Sequence, residues 1–125
     1  QHYFNSLQHV CGDWFTLPVV PPDCSHPSHL FYLLLESNDT RSDLIEHLKE
    51  RGIDAVFHYQ PLHLSAMGRR WGGSQGQCPV TESVSDRLLR LPIYNSLTRV
   101  DQDRVIDAIA EFCSKDAPRT RTALA

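Results

Sequence analysis

Val105, Ile106, Ile109, Phe112 and Cys113 recur at the three- and four-residue spacing of an amphipathic helix, behind a Thr98-x-x-Asp101 capping pattern. A helix striped in this way must lay its apolar side on a second layer. Residues 29–35, HLFYLLL, supply one: a compact apolar and aromatic run closed by Ser37-Asn38-Asp39, which reads as a central strand and a turn. Thr40 then offers an N-cap, with Asp43 three residues on, for a helix over 41–51. Its buried stripe is Leu44, Ile45 and Leu48, and Gly52 fits the position after the helix where positive φ is needed.

Residues 53–59 read as a second strand, and Val84, Leu88 and Leu91 recur at helical spacing over 81–90, a helix that Pro92 stops. Residues 93–95 form a short extended piece. Four of the eight prolines fall in 17–28, an extended connector, and four of the six glycines fall in the loop 68–80. That loop lacks the lysine a phosphate-binding G-K-[ST] turn requires. Tyr3, Phe4, Leu7 and Val10 mark a short N-terminal helix that Gly12 can end. The tail 116–125 has no stripe to bury and is expected to be disordered. The order of elements predicts an α+β fold, helices packed on one face of a small, mainly antiparallel sheet.

With 125 residues, 22% charged side chains and a formal charge of -3, the chain is sized for one domain and offers no basic surface for nucleic acid or an anionic membrane. Its longest apolar run, residues 30–35, is too short to span a bilayer, and no signal-peptide pattern opens it, so a cytoplasmic protein is expected. The four cysteines, Cys11, Cys24, Cys78 and Cys113, show no C-x-x-C spacing and read as four thiols. The start at Gln1, with Met67 the sole methionine, reads as a fragment or a processed chain.

The segment HYQPLH places His58, Tyr59 and His63 around Pro61 at a strand end. Three readings stand beside one another. A zinc site would need two further ligands, for which His47 and Cys78 are the candidates. A structural reading buries Tyr59 and one imidazole with their polar ends bonded to backbone. A ligand surface would present imidazole and phenol donors to a sugar or diphosphate from a proline-stiffened segment. Arg69 and Arg70 beside Trp71 suit a phosphate or a stacked base, or a solvated loop. Asp101, Asp103, Asp107 and Glu111 read as the solvated face of the last helix, and no nucleophile elbow or acid–base pair singles itself out.

FHYQPLH, with RSDLIEHLKERGI before it and TESVSDRLLRLPIYNSLTRVDQDRVIDAI after it, closely resembles the C-terminal part of the sugar-nucleotide aminotransferases of the DegT/StrS family. Within that family the likeness is to the branch that aminates TDP-4-oxo-6-deoxy-D-glucose. It runs over residues 30–113 and more weakly back to Tyr3. The resemblance implies the small C-terminal domain, over 1–115, of a pyridoxal-phosphate enzyme of the aspartate-aminotransferase fold type, with residues 1–12 a remnant of the linking helix. Family members work as homodimers with active sites at the subunit interface. The implied reaction moves an amino group from glutamate to the 4-oxo carbon of a TDP-6-deoxyhexose. By the same resemblance His58, Tyr59 and His63 reach the nucleotide-sugar site, while catalytic and cofactor ligands lie in a large N-terminal domain. Independently, the chain's two lysines, Lys49 and Lys115, sit at a helix edge and at the start of the tail, neither suited to anchor that cofactor. A stand-alone binding domain of the same ancestry is the alternative reading.

Overall fold

The computed structural model describes residues 1–10 and 14–115. Gly12, Cys11 and the tail 116–125, to which expectations were attached above, lie outside the described residues. Four strands, β1 (Phe15–Thr16), β2 (Phe31–Leu35), β3 (Val56–Phe57) and β4 (Leu88–Leu91), form one sheet in the order β1-β2-β4-β3, and every pairing is antiparallel. The helices are α1 (His2–Leu7), α2 (Asn38–Glu50), α3 (Ala66–Arg70), α4 (Pro79–Arg87) and α5 (Arg99–Lys115), with a 3₁₀ turn over Leu62–Leu64. The expected α+β architecture is therefore the one observed.

Alternation fixes which face of the sheet is covered. Phe31, Leu33 and Leu35 of β2 and Leu89 and Leu91 of β4 are buried, and Leu33 pairs with Leu89 and Phe31 with Leu91. Their partners in the core are Leu44 and Leu48 of α2, Ile109 and Phe112 of α5, and Tyr3 and Leu7 of α1. At about 25 cal/mol per Å² of apolar surface, each fully buried leucine here contributes about 1.5–3 kcal/mol before entropy is set against it. Tyr32, Leu34, Leu88 and Arg90, on the other face, are half-buried.

The hinge between α2 and β3 shows how local sequence sets the frame. Gly52 adopts φ +70, its N–H bonds to the carbonyl of Lys49, and the N–H of Ile53 reaches back to that of Leu48. This double closure requires a left-handed residue, and glycine takes it without steric cost. The start of α2 differs from expectation: Ser37, not Thr40, is the cap, its Oγ accepting the Thr40 N–H at 3.0 Å. At the far end of the chain Thr98 and Asp101 form the expected reciprocal cap, with the Asp101 N–H on Thr98 Oγ1 at 3.1 Å and the Thr98 N–H on Asp101 Oδ2 at 3.2 Å.

Five further expectations are corrected. Residues 88–91 are not the end of a helix but the central strand β4, because Leu89 and Leu91 fill the sheet between β2 and β3. The second strand pairs only over Val56–Phe57, and residues 93–95 form no strand; there the Leu97 N–H closes a turn on the Tyr94 carbonyl. The loop 68–80 contains the end of α3 and the start of α4, which Pro79 opens at its first position. Cys113 is disulfide-bonded, whereas Cys24 and Cys78 are free thiols, so the expectation of four thiols fails.

Candidate functional site

Beyond β3 the chain leaves the sheet through His58 and Tyr59. The Ser85 hydroxyl of α4 donates to the Tyr59 carbonyl at 3.0 Å, and the Arg90 guanidinium lies 5.6 Å from the Tyr59 ring centre. The backbone of Tyr59 is thus held from α4 and its ring from β4, while 74% of the residue stays open to solvent. His58 is half-buried with its ring 5.1 Å from that of Tyr59, and its Nδ1 is shielded from water with no hydrogen-bond partner among the described residues. The Nε of Arg90 is shielded and unpartnered in the same way. A polar atom removed from water without a partner costs about 1–3 kcal/mol.

Pro61, at φ -52, directs the chain into the 3₁₀ turn, which the Gln60 side-chain amide braces by donating to the Leu64 carbonyl at 3.1 Å. Ser65 then caps α3, accepting the Gly68 N–H at 3.0 Å. The glycines here serve packing and not phosphate binding: a Cβ on Gly68 would fall 2.1 Å from the Leu62 carbonyl oxygen, and one on Gly73 2.1 Å from that of His63. The loop can therefore close against the backbone of the HYQPLH segment only because both positions lack a side chain.

That closure places His63 against α4. Its Nε2 lies 2.8 Å from Glu82 Oε1, and the same carboxylate accepts the Gly76 N–H at 2.9 Å and the Cys78 N–H at 3.2 Å. The donated Gly76 N–H, the His63 contact and the Cys78 N–H hold the Glu82 carboxyl below its usual range against an opposing desolvation cost. The pair is shielded, with side-chain exposures of 15% and 14%.

Of the three residues expected to form the site, His58 and Tyr59 stand side by side and His63 turns toward Glu82. Sequence reasoning passed over Glu82, Ser85 and Arg90. The signal for Glu82 is an acid in the first turn of a helix that Pro79 opens, two residues ahead of the start that spacing alone predicts. His47, a proposed zinc ligand, instead contacts the Ala108 carbonyl at 2.9 Å and packs edge-on to Phe112. Among the described residues no three His, Cys, Asp or Glu side chains are grouped to hold a metal. Arg69 donates to the Leu64 carbonyl, and Trp71 is 82% exposed, in keeping with the solvated reading of that cluster.

Pyridoxal phosphate needs a lysine in a desolvated pocket for its covalent attachment. Lys49 is exposed near the end of α2, and Lys115 is exposed and paired with Glu111. Neither fits that cofactor.

Residues 1–110 match the DegT/DnrJ/EryC1/StrS aminotransferase family. The chain is similar to the dTDP-3-amino-3,4,6-trideoxy-alpha-D-glucose transaminase of Streptomyces venezuelae, 39% identical over 100 residues that cover 79% of this chain and 26% of that protein. It is also similar to the erythromycin biosynthesis sensory transduction protein EryC1 of Saccharopolyspora erythraea, 38% identical, covering 85% of this chain and 28% of that protein. Among solved structures, S. venezuelae DesV in complex with a ketimine intermediate superposes with a TM-score of 0.79 at 37% identity, covering 90% of this chain and 29% of DesV. The chain thus spans between 26% and 29% of the length of these proteins.

Proposed function

The chain belongs to the DegT/DnrJ/EryC1/StrS aminotransferase family, and from that premise we propose that it is the small C-terminal domain of a pyridoxal-phosphate enzyme that aminates a dTDP-linked oxo-deoxyhexose. Glutamate is the proposed amino donor, and the proposed working unit is a homodimer. The cofactor supplies the electron sink for amino transfer; this chain's own residues bind and orient the sugar nucleotide. His58 and Tyr59 offer it an imidazole nitrogen and a phenol, Arg90 holds the Tyr59 ring, and His63 lines the same turn.

The observation that carries the reading is Tyr59, gripped through its carbonyl by Ser85 and over its ring by Arg90, yet open to solvent beside an unpartnered imidazole nitrogen. The position of amination has two readings. The family resemblance of the sequence implies the 4-oxo carbon. The Streptomyces relative is named for a sugar with its amino group at C3, and that similarity favours a 3-oxo acceptor. Incubating the full-length protein with glutamate and each dTDP-oxo-deoxyhexose in turn, with detection of the amino sugar, decides between them; turnover of neither refutes the proposal.

A further inference from the structure

Resting on that reading, we propose that Glu82 is a positioning residue that fixes the tautomer of His63, so that His63 offers the sugar nucleotide a hydrogen-bond acceptor and its partner is a hexose hydroxyl, not a diphosphate oxygen. Three donors converge on the Glu82 carboxylate: the N–H groups of Gly76 and Cys78 and the Nε2 of His63. An ionised carboxylate accepts only, so the proton of the contact sits on His63 Nε2. A neutral imidazole carries a single N–H, and with that one committed Nδ1 is left as an acceptor. Among the described residues Nδ1 makes no hydrogen bond of its own.

Two features hold the contact between His63 Nε2 and Glu82. The pair is shielded from solvent, at 15% and 14% side-chain exposure, so water competes poorly for either member. The backbone beneath the ring is clamped as well, because Gly68 and Gly73 approach His63 more closely than any side chain would allow. Glu82 therefore acts on the substrate through His63 without touching it. A phosphate oxygen, itself an acceptor, finds nothing to accept from at Nδ1, whereas a hydroxyl can donate there.

The direct test is the tautomer of His63 in the 125-residue chain, read from long-range ¹H–¹⁵N correlations at pH 8. The expected spectrum is that of the Nε2–H form, becoming mixed in Glu82→Gln and restored in Glu82→Asp. An Nδ1–H form in the unmodified chain, or no change in Glu82→Gln, overturns the role of Glu82. The substrate half is tested in the full-length enzyme with His63→Ala. Affinity for the dTDP-sugar should fall about threefold to tenfold, the loss of one neutral hydrogen bond, with affinity for dTDP alone shifting less than about twofold. Equal losses for both ligands overturn the hydroxyl assignment in favour of the nucleotide portion. No loss for either refutes the placement of His63 at the sugar, and with it that part of the functional reading, even where the tautomer is as expected.

Discussion

A methyl group on Gly73 would meet the carbonyl oxygen of His63 at 2.1 Å, so a glycine of the loop and an imidazole of the candidate site are held in one piece of backbone packing. Gly73→Ala should therefore destabilise the chain by about 2 kcal/mol or more, through a forced backbone shift. Gly68→Ala should do the same although it lies in α3, where alanine is favoured by about 1 kcal/mol on helix propensity. Urea unfolding measures both; a change within about 0.5 kcal/mol would show that the loop yields freely.

Leu89→Ala should cost about 2–5 kcal/mol, the range for emptying a fully buried leucine site, because Leu89 stands in the middle strand opposite Leu33. Leu88→Ala, half-buried on the other face of the same strand, should cost clearly less. Equal losses would mean that 88–91 is the helical end that spacing alone implies.

That segment shows where the sequence speaks and where it is silent. Gly52 and the Thr98–Asp101 cap are legible because their signals are chemical and local: a left-handed turn and two reciprocal hydrogen bonds. Leu88 to Leu91 satisfies the helical spacing from Val84 and the strand alternation equally, and only the presence of β2 and β3 on either side decides. The candidate site divides in the same way. His58, Tyr59 and His63 stand out by residue type, whereas Glu82 and Ser85 become part of the site only where α4 packs against it, and Arg90 only through the pairing of β4 with β3. The disulfide at Cys113 is equally beyond spacing rules, since no C-x-x-C pattern or dense cysteine framework marks it.

Glu111 gives the fold a pH dependence of known sign. Its hydrogen bond from Arg51, the residue that follows α2, at 2.9 Å, followed by that from Lys115, lowers its carboxyl to about 2 from an ordinary 4.5. The folded value lies below the unfolded one, so the contribution is complete above about pH 4.5 and is lost as the pH falls toward 2. Thermal unfolding at stepped pH should show Glu111→Gln losing less stability across that window than the unmodified chain. Parallel curves would contradict the assignment.

Lys49 and Lys115, both exposed, should remain unlabelled when the chain is mixed with pyridoxal phosphate and reduced with borohydride, beyond the slow reaction of any surface amine. Stoichiometric labelling of Lys49, seen by mass spectrometry of the digested chain, would place cofactor anchorage in this domain.

The central claim is that the end of β3 belongs to the sugar nucleotide and not to the cofactor, and His58 tests it most directly. In the full-length enzyme, pre-steady-state kinetics of His58→Ala should show the half-reaction with the amino donor and the cofactor content preserved. The half-reaction with the dTDP-oxo-deoxyhexose should weaken by about threefold to tenfold for a neutral contact, and by more for one to a charged phosphate. Loss of cofactor, or equal damage to both half-reactions, would contradict the account and make His58 part of the cofactor's surroundings or of the fold.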